Sequence, residues 1–285
     1  MEIYVAQEQA FYFVPNVSLD VAHDRVEQKK TGLVAGSVSS LISRPNPAEI
    51  QIVATESRLE PVWVVAASTR TVYDRNRNYT VALGGREVQS VTLLGQELTP
   101  ELKSKESPTV TLNGVEHCLD EKQASRTYEG ISGEQVDFSK YQSFPKTTII
   151  DLDDFSPEGV LVIPPQVRAS AVVRQVLAEL IKPVQQAQVI HEERVDITAI
   201  ELNFRPVYAF EYEWSAKAKR TVVEFDALTG EFHAGGKWVS AEFLKGLVTQ
   251  DLLFDISADA VGMLVPGGGI AVKLVKAVVD SRKPR

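Results

Sequence analysis

Cysteine is nearly missing from this 285-residue chain, where Cys118 stands alone. No disulfide can close within the chain, and zinc sites built from two or four thiolates are excluded. Long apolar runs are missing too. No stretch reaches the about 20 uninterrupted apolar residues that a membrane-spanning helix needs. The most apolar segment, 261–272, contains Pro266 and four glycines, and its length is that of a core segment. The amino terminus, Met1-Glu2-Ile3-Tyr4-Val5, places an acid where a signal peptide needs positive charge. Secretion by that route is not expected, and a cytoplasmic location is. Positive charge is in deficit overall: the net charge of −8 speaks against the whole molecule as a nucleic-acid binder.

Signatures of chemistry are equally scarce. The four histidines, His23, His117, His191 and His233, show no paired spacing. Gly267-Gly268-Gly269 is followed by Ile270-Ala271-Val272, whereas a phosphate-binding loop needs Gly-Lys-Ser/Thr, and no G-x-G-x-x-G occurs after a strand. The glycines read as a connector between two helices. No cofactor and no catalytic residue is expected.

What is present is a globular composition, 44% hydrophobic and 24% charged, and an internal repeat. A shift of 145 positions lays Ile52, Ala54, Glu56, Pro61 and Val62 over Ile197, Ala199, Glu201, Pro206 and Val207, with Trp63 over Tyr208 and Leu59 over Phe204. Upstream, Phe11-Tyr12-Phe13-Val14-Pro15-Asn16-Val17 matches Val160-Leu161-Val162-Ile163-Pro164-Pro165-Gln166-Val167. In both, an apolar run stops at proline and a helical segment is due. Val172, Val176, Leu177 and Leu180 form one stripe at helical spacing, while Gly32 and Gly36 break the first copy's helix. Downstream, 49–56 with 61–73, and 194–201 with 206–214, have the alternation and β-branched and aromatic content of strands. Polar tips follow at 74–78 and 215–220, then return strands at 79–83 and 221–225, then glycine turns at Gly84-Gly85 and Thr229-Gly230.

The fold class expected is therefore α+β: two related strand–helix–antiparallel-meander units with a C-terminal helical extension. The divisions are 1–97 for the first repeat, 98–158 for a polar insertion or linker, 159–240 for the second repeat and 241–285 for C-terminal helices. Within the insertion, Asn113-Gly114 is a favoured hairpin turn.

Arg205-Pro206-Val207-Tyr208-Ala209-Phe210-Glu211-Tyr212, a basic tip, and Thr221-Val222-Val223-Glu224-Phe225-Asp226-Ala227-Leu228-Thr229-Gly230-Glu231-Phe232 resemble a PepSY-type (cystatin-like) module over about a tenth of the chain. The resemblance implies a β-hairpin with a tight polar corner at 226–230. It also implies a small non-catalytic module, of a kind linked to peptidase inhibition or to sensing and binding at envelopes.

Four candidate surfaces follow. Asp151, Asp153, Asp154 and Glu158 bring oxygen ligands close enough in sequence for a weak cation site, without the EF-hand glycine and glutamate. Arg75 and Arg77, and Lys217, Lys219 and Arg220, make basic tips at equivalent places in the two repeats. Phe243 and Leu247 lie on one helical stripe, and Leu274 and Val278 lie on an almost wholly apolar terminal helix. Such a helix must bury itself against core, a twin subunit or lipid. The function expected is a non-catalytic binding or assembly protein, meeting a protein partner or itself through the C-terminal helices. A peripheral membrane contact through 256–279 is the alternative, and a metal-dependent hydrolase using Asp151, Asp153 and His191 is a third reading.

Overall fold

The computed structural model describes residues 1–35, 46–101, 107–236, 238, 253–254 and 273–276. Two very long strands organise it. The alternating, β-branched and aromatic segments run on without turning, giving β3 at Ile50–Ala82 and β9 at Val189–Trp214. These lie antiparallel along nearly all of β9, from Ile50 against Trp214 to Asp74 against Val189.

Shorter strands share the outer edges of this central pair. Along β9 these are β1 (Glu2–Val5, parallel), β2 (Glu8–Phe13, parallel) and β10 (Lys219–Asp226, antiparallel). Along β3 they are β8 (Leu161–Val162, parallel) and the long β6 (Thr109–Glu129, antiparallel). Strands β7 (Lys146–Ile149), β11 (Phe232–Gly236) and β12 (Lys273–Lys276) add to β2, β10 and β1, completing one mixed sheet of ten strands. A separate hairpin pairs β4 (Val91–Leu93) with β5 (Gln96–Leu98).

Proline marks the joints. Pro61 and Pro206 sit in mid-strand, where a lost N–H normally breaks a ladder. Each lies where the outer neighbour changes: on β3 between β8, ending at Leu59, and β6, starting at Val62; on β9 between β2, ending at Phe204, and β10, starting at Val207. Their carbonyls still accept, from Gly130 N–H and Ala227 N–H respectively, each at about the usual distance (2.8 and 3.1 Å).

Three α-helices are described, α1 at Leu19–Glu27, α2 at Lys30–Ala35 and α3 at Ala169–Leu180. Ser18 caps α1 by accepting from Val21 N–H. The helices cover the face of the sheet to which Ile200, Leu202, Phe204, Phe210 and Tyr212 point. Val172, Val173, Val176 and Leu177 of α3 bury against Trp63, Val65 and Ile200, while Ala22 and Val26 of α1 bury against Ile50, Phe210 and Phe225. The other face carries most of the charge. Part of it is roofed by 136–144, where Phe138 and Tyr141 pack on Phe13, Val62 and Leu228.

This architecture corrects the expected α+β class. The molecule is mostly β, its helices resting on one continuous sheet rather than each forming a unit with its own meander. The reason is length: segments read as separate strands merge. Residues 74–78, expected as a polar tip, lie inside β3, and Asn113-Gly114 lies inside β6. Gly114 suits its place there because a β-carbon would stand 3.0 Å from the ring of Tyr79, on the opposing strand. The C-terminal helical extension is corrected at 273–276, which is a strand parallel to β1 with Leu274 in register with Ile3, whereas Leu253 is helical.

The 145-residue shift reappears in hydrogen bonds. Trp63 Nε1 donates to the carbonyl of Val167 (2.8 Å), and its counterpart Tyr208 donates its hydroxyl to that of Val17 (3.0 Å). The amides of Gln166 and Val167 reach the Gly130 carbonyl, as those of Asn16 and Val17 reach that of Ala227. The corner Glu129-Gly130-Ile131-Ser132-Gly133-Glu134 matches Asp226-Ala227-Leu228-Thr229-Gly230-Glu231. In each, the first residue bonds the sixth and the fifth bonds the first, with a glycine at φ 76° or 75° in fifth place. The first half's corner is thus at 129–134, not at Gly84-Gly85.

Candidate functional site

Three features of the charged face and its rim invite a functional reading. The first is a histidine–aspartate–histidine cluster. The β3–β6 register sets Asp74 opposite His117, whose Nδ1 lies 2.7 Å from one carboxylate oxygen. His191 is the extra residue of a β-bulge in β9, between the pairs Val72–Glu192 and Tyr73–Ile190, and its Nε2 lies 2.8 Å from the other oxygen. His191 and then His117 hold the Asp74 carboxyl below the usual carboxylate range. Both rings are largely exposed. Cys118, next in sequence, bonds its thiol to the Glu116 carbonyl at 3.6 Å and points to the opposite face, so it offers the cluster no nucleophile. Sequence reading missed this cluster, since its members are far apart in the chain and one is placed by a bulge.

The second feature is an ion network at the middle of the same face. Glu56, Arg58 and Glu60 alternate along β3, so all three project to one side. Arg58, almost fully buried, reaches Glu224 at 3.2 Å and stands within 3.8 Å of Glu56 and 3.7 Å of Glu60. Arg205 on β9 bonds Glu60 at 2.7 Å, Asp226 at 3.4 Å and the Tyr141 hydroxyl at 3.0 Å. Tyr141 in turn donates to Asp226, whose other oxygen accepts from the amides of Leu228 and Thr229. Burial pushes the Glu56 carboxyl up; Arg58 opposes the rise and Glu60 adds to it. The network ties three strands and the 136–144 roof together, which is a structural task.

The third feature is the outer edge of β6. At one end, Val136 N–H bonds the Thr127 carbonyl and Glu129 N–H bonds that of Glu134; at the other, Thr109 and Glu101 exchange both bonds. The odd-numbered residues of β6 therefore turn their backbone groups away from β3. Among the described residues, no strand or loop pairs with this edge from 111 to 125. The same odd-numbered side chains stand on the charged face, where Val115 and Leu119 are 55% and 54% exposed on either side of His117. Unpaired backbone beside exposed apolar side chains is the arrangement that accepts an added strand.

The residues singled out by sequence fall elsewhere. Asp151 accepts from the amides of Asp153 and Asp154, forming a local turn. Among the described residues no group of three His, Cys, Asp or Glu is set to hold a metal, and His191 is joined to Asp74 rather than to Asp151 or Asp153. The basic tips are not equivalent. Arg75 lies within β3 and pairs with Glu116, with Arg77 two residues on, whereas Lys217 and Lys219 flank a true turn closed by Ala218 at φ 47°. Lys219 bonds the Val34 carbonyl, and Arg220 stands near Glu211 and Glu213. Glu158, at the end of the acidic run, has no partner role among these contacts. Phe243, Leu247 and Val278 lie outside the described residues, as does most of 256–279. Among the described residues no helix is long and apolar enough to cross a membrane.

Compared with protein-family models, with curated proteins and with solved structures, the chain finds no match.

Proposed function

We propose that this chain is a non-catalytic binding or assembly protein that takes its partner by strand addition along the outer edge of β6. One observation carries the reading: among the described residues no strand or loop pairs with the N–H and C=O groups that alternate along this edge from 111 to 123, beside the exposed side chains of Val115 and Leu119. Backbone bonds supply affinity in this mode, and side chains at alternate positions supply selectivity. The PepSY-like stretch at 205–232 belongs to the same reading, as part of the platform that carries the edge.

A proline at position 119 tests it. Leu119→Pro removes one outward N–H, and proline is tolerated at a sheet edge. The variant is expected to melt within a few degrees of the parent but to lose retention of the partners that the parent captures. A folded variant that retains them all sinks the reading.

A further inference from the structure

The edge commits to a particular occupant. Resting on the reading of β6 as a strand-accepting edge, we propose that β6 pairs antiparallel with β6 of a second copy of this chain, about a two-fold axis through Leu119.

Strand geometry restricts the choice first. Two edges pair through their outward-facing groups, so an odd-numbered residue of one β6 must face an odd-numbered residue of the other. That leaves a short series of registers whose axes fall near the middle of the open 111–125 stretch. With the axis at 118, Glu116 faces Asp120; at 120, Asp120 faces itself; at 121, Glu121 faces itself. Each juxtaposes like charges, which is costly across strands. At 117 no opposite charges meet.

With the axis at Leu119, no like charges meet on either face of the sheet. Glu116 faces Lys122 of the other copy and His117 faces Glu121, each contact occurring twice by symmetry. Leu119 meets its own copy at the centre, Val115 faces Gln123, and the pairing closes at Asn113 against Ser125. Faces are preserved, because a two-fold axis normal to a sheet carries each face onto itself: His117 and Glu121 both stand on the charged face, Glu116 and Lys122 both on the helix face.

The charges of β6 bear on the opposite interpretation as well. Natural edges are guarded by lysine and carboxylates, which repel a stray strand. Glu116, Asp120, Glu121 and Lys122 would serve that purpose against an arbitrary sequence. Against their own copy in this one register none of them faces a like charge and Glu116 faces Lys122, which is how an edge excludes other strands while accepting one. The two-fold operation uses the edge up, so assembly stops at two copies instead of growing a fibre.

The experiment uses the full chain. Native mass and sedimentation over a wide concentration range are expected to show a monomer–dimer equilibrium. In a Cys118→Ser background, Leu119→Cys is expected to form a disulfide-linked dimer on mild oxidation, since directly opposed α-carbons lie about 4.5–5.5 Å apart. Gln123→Cys alone is expected not to link, and Val115→Cys together with Gln123→Cys is expected to link. Lys122→Glu should weaken the dimer by about tenfold or more, with Glu116→Lys in the same chain restoring it. A dimer in which Leu119→Cys does not link overturns the proposal. So does a chain that stays monomeric; if Leu119→Pro still abolishes retention of other proteins in that case, strand addition at β6 stands and only the self-pairing falls.

Discussion

At the scale of single residues, one buried and one half-buried position are informative in opposite ways. Trp63 is fully buried, bonds the Val167 carbonyl through its indole nitrogen, and meets the ring of Phe254 edge-on at 5.5 Å. Trp63→Ala leaves both a cavity and an unpaired carbonyl, so a loss of about 3–5 kcal/mol is expected, measured by urea unfolding. Glu56 works the other way. Burial raises its pKa in the folded chain, so its contribution is fully present below the unfolded value and is lost as pH rises through the folded one. Glu56→Gln removes that penalty. The variant should match the parent near pH 4 and exceed it progressively toward pH 7, by less than about 1 kcal/mol because water screens a carboxyl only partly covered. Equal stability at both pH values would remove the case for a strained carboxylate there.

At the scale of elements, much of the fold is legible and its reach is not. Pro61 and Pro206, and Trp63 and Tyr208, occupy equivalent places under the 145-residue shift, and the proline-terminated entries before α1 and α3 match at an offset a few residues longer. Where reading failed, strand length was the cause. A polar run such as Asp74-Arg75-Asn76-Arg77-Asn78 looks like a tip, yet in a two-stranded extension both faces meet water and polar residues cost nothing. The same solvation hides β6, whose alternation is polar on both sides, and the partner strand 109–129 lies beyond an intervening segment that no local pattern bridges. His191 was legible as a histidine beside carboxylates, but only the bulge turns it toward Asp74.

The extension itself carries a prediction. Beyond Asp74 the β3–β6 pair has no third strand beside it among the described residues, and a two-stranded ribbon is marginal in water. Amide exchange should therefore be graded along one continuous strand, slow from 50 to 74 and markedly faster from 75 to 82. Uniform protection along β3 would mean that something else supports the ribbon.

At the scale of the whole molecule, one ion pair has a special address. Under the 145-residue shift Glu60 is the counterpart of Arg205, and the two are also direct partners in the β3–β9 ladder, bonded at 2.7 Å. They mark the point about which the two halves are related. A symmetric pair of identical halves would have to set that residue against itself: glutamate on glutamate, or arginine on arginine, at a part-buried site. Opposite charges at the centre are available only to two unlike halves. Cut between the repeats, near residue 155, the fragments should thus complement each other and refuse to assemble alone. Mixing the separately expressed fragments should give a one-to-one complex by native mass, with no homodimer of either. The bridge at the midpoint makes the two halves a lock and its key, cut so that neither fits a duplicate of itself.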